Sequence, residues 1–171
     1  AIEKARFLST QARDKARKYQ HSQIGFNYRM SNVVAGIGRG QLLHLEEHKK
    51  KKQEIYRQYK EAFDDIPAIV MNPLNPDGDA NNWLSCMTIA PESGVTPNMA
   101  MDALEEENIE SRPIWKPMHL QPVFADADFI TLQENGSVGE RIFEKGFCLP
   151  SDIKNTPKDM ELIINTIRNL F

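Results

Sequence analysis

The chain has 171 residues, a formal net charge of −3, 40% hydrophobic residues and 26% charged residues. This length suffices for a domain with a hydrophobic core, and the composition is typical of a soluble globular protein. The mild negative charge argues against a general nucleic-acid-binding protein, and no apolar run approaches the length of a membrane span.

The first third of the chain is predicted to be helical. Residues 2–15 carry the apolar spacing of a first helix, and a polar loop follows at 17–23. Ser31 is a candidate N-cap for a second helix, whose apolar spacing continues, straight or kinked, to 64–65. Ile66 and Pro67 stop this helix, because proline cannot continue it. The spacing therefore predicts a long leading helical segment over residues 1–65.

Strands that alternate with helices are predicted in the remainder. The helices begin at the cap-and-proline pairs 96–97 and 156–157 and near Ser137, and the strands lie at 68–71, 83–90, 109–112 and 147–149. Apolar residues form a stripe on the last helix: Met160, Ile163, Ile164, Ile167 and Leu170. This order favours the α+β class, with a small, mainly antiparallel sheet packed with helices.

The predicted second helix contains an unusual group of small residues, Ala35, Gly36, Gly38 and Gly40. A glycine inside a helix costs about 1 kcal/mol relative to alanine, so several of them need a reason. One reason is close packing against a neighbouring helix or a second subunit, and the other is a phosphate-binding loop. The spacing of a dinucleotide fingerprint and a preceding strand are missing, which favours close packing.

The histidines His44 and His48 match the H-x-x-E-H pattern of one class of zinc proteases. A zinc hydrolase would need a third ligand, which the sequence does not suggest, so a metal site is not expected. The lysine run at 49–52 is flanked by glutamates and is typical of a solvated helical face. The two cysteines, Cys86 and Cys148, match no metal or redox spacing and are expected to be buried thiols in a reducing, cytoplasmic compartment.

A proline-rich segment at 112–122 combines positive charge with an aromatic side chain. Prolines hold its backbone extended, while Arg112, Lys116 and His119 can bind phosphates and Trp115 offers a flat apolar face. A structural loop in which Trp115 fills the core explains these residues equally well. The residues alone leave both interpretations open.

Four patterns in order resemble the sugar-nucleotide aminotransferases of the DegT/StrS type, which depend on pyridoxal phosphate (PLP). They are GFNYRM at 25–30 with QL at 41–42, ESRPIWKPMH at 110–119, and GFCLPS at 146–151. The remaining pattern, NWLS at 82–85, lies between the first two. It is similar to the corresponding segment of the branch that aminates UDP-linked 4-keto-6-deoxy-N-acetylhexosamines in bacillosamine and exopolysaccharide synthesis. The similarity covers essentially the whole chain.

This resemblance implies a fold, a cofactor and a set of roles. The chain would be a single C-terminal (small) domain, residues 1–171, of a fold-type I PLP transferase that works as a cytoplasmic homodimer. Asn27 would contact the PLP phosphate of the partner subunit, with Arg29 shaping the same site. Arg112, Trp115, Lys116 and His119 would bind a UDP- or dTDP-linked keto sugar, with L-glutamate as amino donor.

The resemblance also implies a missing part. In this family the lysine that binds PLP lies upstream of the position that matches Ala1, in a large domain absent from this chain. Because transamination needs that amine, the chain alone is expected to be inactive, with no catalytic residue of its own. A different interpretation is a non-catalytic module that dimerises or binds a ligand.

Overall fold

A computed structural model describes residues 1–16, 18–132 and 136–171 of the chain. The first residue of the predicted loop at 17–23, Arg17, lies outside the described residues. The described residues divide into two compact units, Ala1–Leu45 and Glu46–Phe171.

The first unit begins with helix α1, Ile2–Ser9, which is shorter than the sequence predicts. Residues 10–15 are not helical, because Gln11 and Ala12 have left-handed backbone conformations with φ of 69° and 49°. Side chains other than glycine rarely adopt this region, and a right-handed helix cannot continue through it. The Thr10 hydroxyl donates to the Arg6 carbonyl at 2.8 Å and closes the last turn.

The predicted long second helix is divided into α2, Asn32–Leu42, and α3, Leu45–Phe63. Ser31 caps α2 as predicted, since its hydroxyl accepts a hydrogen bond from the Val34 amide at 3.2 Å. The division lies at Leu43 and His44, whose amides bond carbonyls three residues back instead of four. Such bonds are typical of the last turn of a helix, so α2 ends there.

The second unit is built on a four-stranded antiparallel sheet in the order β1-β2-β4-β3. The strands are β1 Ile69–Met71, β2 Ser85–Ile89, β3 Arg112–Pro113 and β4 Gly146–Leu149. The helices are α3 and, in chain order, α4 Pro97–Glu106, α5 Val138–Lys145 and α6 Pro157–Arg168. The small antiparallel sheet packed with helices confirms the predicted α+β class.

One face of the sheet holds the core of this unit. Met87 and Ile89 of β2 join Phe147 and Leu149 of β4 in a buried cluster with side chains of α3, α4 and α6. The opposite face of β4 carries Gly146 and Cys148, and α5 contacts β2 and β4. A Cβ atom at Gly146 would lie 2.7 Å from the Ile142 carbonyl oxygen of α5, so glycine permits this close approach.

Caps define the starts of the later helices as predicted. Thr96 accepts from the Met99 amide at 3.2 Å, and Ser137 and Thr156 each form a capping box with the acidic residue three positions later. The predicted strand at 109–112 is mostly wrong, because the amides of Asn108 and Ile109 still bond carbonyls of α4. Within residues 108–113, strand pairing is confined to Arg112 and Pro113, which pair with β4.

Among residues 1–16, 18–132 and 136–171, no helix combines the length and the apolar character that a membrane span requires.

Candidate functional site

Residues 25–28 of the first unit lie extended against the end of α1. The Phe26 amide donates to the Leu8 carbonyl at 2.7 Å and the Tyr28 amide donates to the Ser9 carbonyl at 3.1 Å. A Cβ atom at Gly25 would lie 2.2 Å from the Gln11 carbonyl carbon, so only glycine permits this approach. The left-handed turn that ends α1 therefore also fixes the position of the segment.

Asn27 lies on this segment and Arg29 directly follows it, and both side chains are exposed. Asn27 forms an isolated β-bridge with Thr10, and the neighbouring rings of Phe26 and Tyr28 stack with centroids 5.3 Å apart. A carboxamide and a guanidinium are neutral and charged donors that suit a phosphate. The donor set on this segment therefore fits the phosphate of a cofactor such as PLP.

Three of the four predicted substrate residues line one cavity of about 810 Å³ in the second unit. Arg112, Trp115 and Lys116 come from β3 and the segment after it, and they face β4 and the turn that follows β4. Carboxylates also line the cavity, and Glu110 forms an ion pair with Arg112. The cavity thus offers cations for phosphates and carboxylates that accept hydrogen bonds from sugar hydroxyls.

Trp115 forms an aromatic pair with Trp83 near this cavity. Their ring centroids are 5.9 Å apart and tilted by 33°, and the side chains are 62% and 63% exposed. This exposure argues against the interpretation that Trp115 fills the core. Exposed indole faces can stack on a nucleotide base or on the apolar face of a sugar ring.

The wall of the cavity after β4 is held by α3. The Tyr59 hydroxyl donates to the Pro150 carbonyl at 2.7 Å, and the Lys52 ammonium donates to the carbonyls of Ser151 and Trp83, the latter at 3.2 Å. Lys52 thus ties the turn after β4 to the tryptophan pair. The sequence analysis missed this role, because Lys52 is indistinguishable from its neighbours in a run of four lysines.

His119 belongs to the predicted segment at 112–122 but is not among the described residues that line the cavity. Its Nε2 atom lies 2.8 Å from Glu140 Oε1, and its ring stacks on Phe129 with centroids 3.6 Å apart. The hydrogen bond with His119, and a second from the Ser137 amide, hold the pKa of Glu140 below its usual range. Glu140 links His119 to the start of α5, a long-range pairing that sequence spacing could not predict.

The histidine pattern that suggested zinc is interrupted. His44 lies in the turn that separates α2 from α3, and His48 lies inside α3. In the part of the chain that the structure describes, no group of three or more His, Cys, Asp or Glu side chains is arranged to hold a metal ion.

The comparison with protein families gives one match over almost the entire chain. The model of the DegT/DnrJ/EryC1/StrS aminotransferase family matches residues 1–168. The protein EpsN of Bacillus subtilis (strain 168), whose name describes a pyridoxal phosphate-dependent aminotransferase, is 43% identical over 171 residues. This alignment covers 100% of the chain and 44% of EpsN.

Two further proteins are similar over nearly the whole chain. The GDP-perosamine synthase of Caulobacter vibrioides is 28% identical over 162 residues, covering 94% of the chain and 43% of the synthase. The solved structure of Helicobacter pylori PseC, an aminotransferase of pseudoaminic acid biosynthesis, superposes with a TM-score of 0.83 at 17% identity, covering 99% of the chain and 45% of PseC. The likeness in structure confirms the predicted fold-type I class. The chain spans less than half the length of these proteins.

Proposed function

This chain belongs to the DegT/DnrJ/EryC1/StrS aminotransferase family, and on that premise we propose that it is the C-terminal part of a PLP-dependent sugar-nucleotide aminotransferase. The complete enzyme transfers an amino group from L-glutamate to a UDP- or dTDP-linked keto sugar for a surface polysaccharide or glycan. The names of the relatives support this proposal, because one is a GDP-perosamine synthase and another is named for PLP. The free thiols of Cys86 and Cys148 are compatible with a cytoplasmic enzyme.

The first unit supplies cofactor contacts in this proposal. When bound, PLP supplies the electron sink for amino-group transfer. Asn27 donates its carboxamide N–H to the phosphate of the cofactor held by the partner subunit, and Arg29 adds positive charge to the same site. The backbone bonds of Phe26 and Tyr28 to α1 support this role, because they fix the backbone on both sides of Asn27 and next to Arg29.

The second unit supplies the substrate contacts. Lys116 and Arg112 bind the diphosphate, and Trp115, with Trp83, stacks on the base or the sugar. Convergence of Arg112, Trp115 and Lys116 on one cavity is the observation that carries the proposal. His119 acts with them as a positioning residue, because its bond with Glu140 ties the segment to α5.

Two further parts of the proposal concern assembly. Gly36, Gly38 and Gly40 leave open space on α2, and Val33 and Ile37 are 73% and 62% exposed there. An apolar helix with small residues suits the close contact of a homodimer or of the remaining domain. The lysine that binds PLP belongs to that remaining domain, so the 171-residue chain alone is inactive.

The experiment uses the full-length protein that contains this chain, loaded with PLP and supplied with glutamate and a UDP-linked keto sugar. Lys116→Ala should raise the KM for the sugar nucleotide about 10-fold or more, since a hydrogen bond to a charged group is lost, and leave the KM for glutamate unchanged. Lys158→Ala, an exposed lysine on α6, is the matched control and should change neither.

The cofactor contact is tested separately. Asn27→Ala should weaken PLP binding, measured by the visible absorbance retained after dialysis, while Asn165→Ala on the exposed side of α6 should not. Equal effects of Lys116→Ala on both substrates would contradict the substrate assignment. Full retention of PLP by Asn27→Ala would contradict the cofactor assignment.

A further inference from the structure

Cys86 and Cys148 face each other across the central pair of strands. Cys86 of β2 is directly opposite Cys148 of β4 in the antiparallel register, and the two Sγ atoms are 3.5 Å apart. Both thiols are free. Because 61 residues lie between them in the sequence, their spacing alone indicated no redox pair. The fold therefore brings together two thiols whose proximity could not be predicted from the sequence.

The backbone geometry of the pair is compatible with a covalent link. The Cys86 amide donates to Asn72 Oδ1 at 2.9 Å, and the Cys86 carbonyl accepts from the Asn72 amide at 2.8 Å. The backbone amide and carbonyl of Cys86 thus point away from β4. In the backbone ladder, Cys86 and Cys148 therefore form a non-hydrogen-bonded pair. Cα atoms in such pairs are about 4.5 Å apart. Disulfides span about 4.4–6.8 Å between Cα atoms, so the bond needs little backbone movement.

The two thiols differ in access and in acidity. Cys148 is buried, and Cys86 is half-buried. The hydrogen bond between the two sulfurs lowers the pKa of Cys86, and together with burial it raises the pKa of Cys148. Because the thiolate is the nucleophile, an external reagent reacts first with Cys86, and Cys148 is placed to complete the exchange.

We propose that Cys86 and Cys148 form a reversible cross-strand disulfide when the chain meets a low-molecular-weight disulfide such as oxidised glutathione. The Cys86 thiolate attacks one sulfur of the reagent, and the reagent's S–S bond breaks to release one small thiolate. The Cys148 thiol then loses its proton to solvent and attacks the Cys86 sulfur, which expels the second small thiolate. Across both steps, the two protein thiols lose two protons and two electrons, and the reagent takes up both and becomes two thiols.

The link would act next to the candidate substrate cavity. Cys148 lines the same cavity as Arg112 and Trp115, and its strand is continuous with the wall at 149–152. Formation of the bond draws the sulfurs from 3.5 Å to about 2.0 Å and fixes β4 to β2. The modification site is therefore a redox-sensitive cross-link in the frame that holds the cavity.

The test treats the 171-residue chain with oxidised and reduced glutathione at increasing ratios, then blocks remaining thiols and maps the peptides by mass spectrometry. The expected product is a monomer that lacks two hydrogens, contains a peptide with Cys86 linked to Cys148, and regains both thiols in dithiothreitol. The folded chain should form this link at a ratio of oxidised to reduced glutathione that is at least about 10-fold lower than the ratio that the urea-unfolded chain needs. The reason is that the fold holds the two thiols together.

Two variants separate the roles of the sulfurs. Cys148→Ser should accumulate a glutathione adduct on Cys86, whereas Cys86→Ser should react on the order of 10-fold more slowly at Cys148. Adducts on both cysteines of the wild-type chain without a linked peptide would overturn the proposal. So would cross-links only between chains, or equal ratios for the folded and the unfolded chain. The wild-type comparison decides the matter even where a variant fails to fold.

Discussion

Substitution of Tyr59 by phenylalanine tests whether α3 holds the wall of the cavity. The Tyr59 side chain is 0% exposed, and its hydroxyl donates to the Pro150 carbonyl at 2.7 Å. Burial raises the pKa of Tyr59, so the hydroxyl stays protonated and donates throughout the neutral range. Tyr59→Phe keeps the ring and removes only this donor.

The expected loss follows from the partner that is left behind. A buried acceptor without its donor costs about 1–3 kcal/mol, and Pro150 is half-buried, so we expect about 1–2 kcal/mol. For a chain of this size each kcal/mol lowers Tm by about 2–4 °C, which gives a decrease of about 2–8 °C. Thermal and urea unfolding monitored by circular dichroism measure this change.

The control for this prediction is Tyr19→Phe, which removes the hydroxyl of a side chain that is 69% exposed. Its free energy of unfolding should change by less than about 0.5 kcal/mol. A Tyr59→Phe variant as stable as the wild type, or a loss equal to that of Tyr19→Phe, would refute the reasoning that this bond anchors the turn after β4.

Two other predictions concern the loop at 25–28 and the hydrogen bond between His119 and Glu140 of α5. Gly25→Ala places a Cβ atom 2.2 Å from the Gln11 carbonyl carbon, so we expect faster amide hydrogen exchange at 25–28, whereas Gly38→Ala adds its methyl in open space and should not speed it. The hydrogen bond with His119 lowers the pKa of Glu140 in the folded chain. The pair therefore stabilises the fold at pH values above the ordinary glutamate pKa of about 4.3. This stabilisation is lost as the pH falls through the lower pKa of the folded state. The Tm difference between wild type and Glu140→Gln should therefore shrink from pH 6 to pH 3; a constant difference would argue against the pair.

Local signals in the sequence predicted local structure well. Ser31, Thr96 and Thr156 were identified as caps because a cap is defined by residues within one helical turn. The same local view could not detect the division at Leu43 and His44, since apolar spacing continues through it. It also extended α1 beyond Ser9, because the left-handed turn there depends on contact with the loop around Gly25.

The candidate site depends on contacts that are distant in sequence. The predicted residues Arg112, Trp115 and Lys116 converge on one cavity, but spacing could not reveal that Lys52 and Tyr59 hold its opposite wall. The predicted strand at 109–112 failed for a related reason: a strand exists only where a partner strand pairs with it. Asn27 and Arg29 lie exposed on their loop, and their role in cofactor binding stays a prediction.

The most direct test of the proposed function follows the amino group. The full-length protein that contains this chain is supplied with PLP, nitrogen-15 glutamate and a UDP- or dTDP-linked 4-keto-6-deoxy sugar, and the products are analysed by mass spectrometry. The proposal predicts a nucleotide sugar that carries nitrogen-15 and an equal amount of 2-oxoglutarate, with no product from the 171-residue chain alone. A full-length protein that never binds PLP, or that binds PLP but transfers no nitrogen to any nucleotide-linked keto sugar, would contradict it.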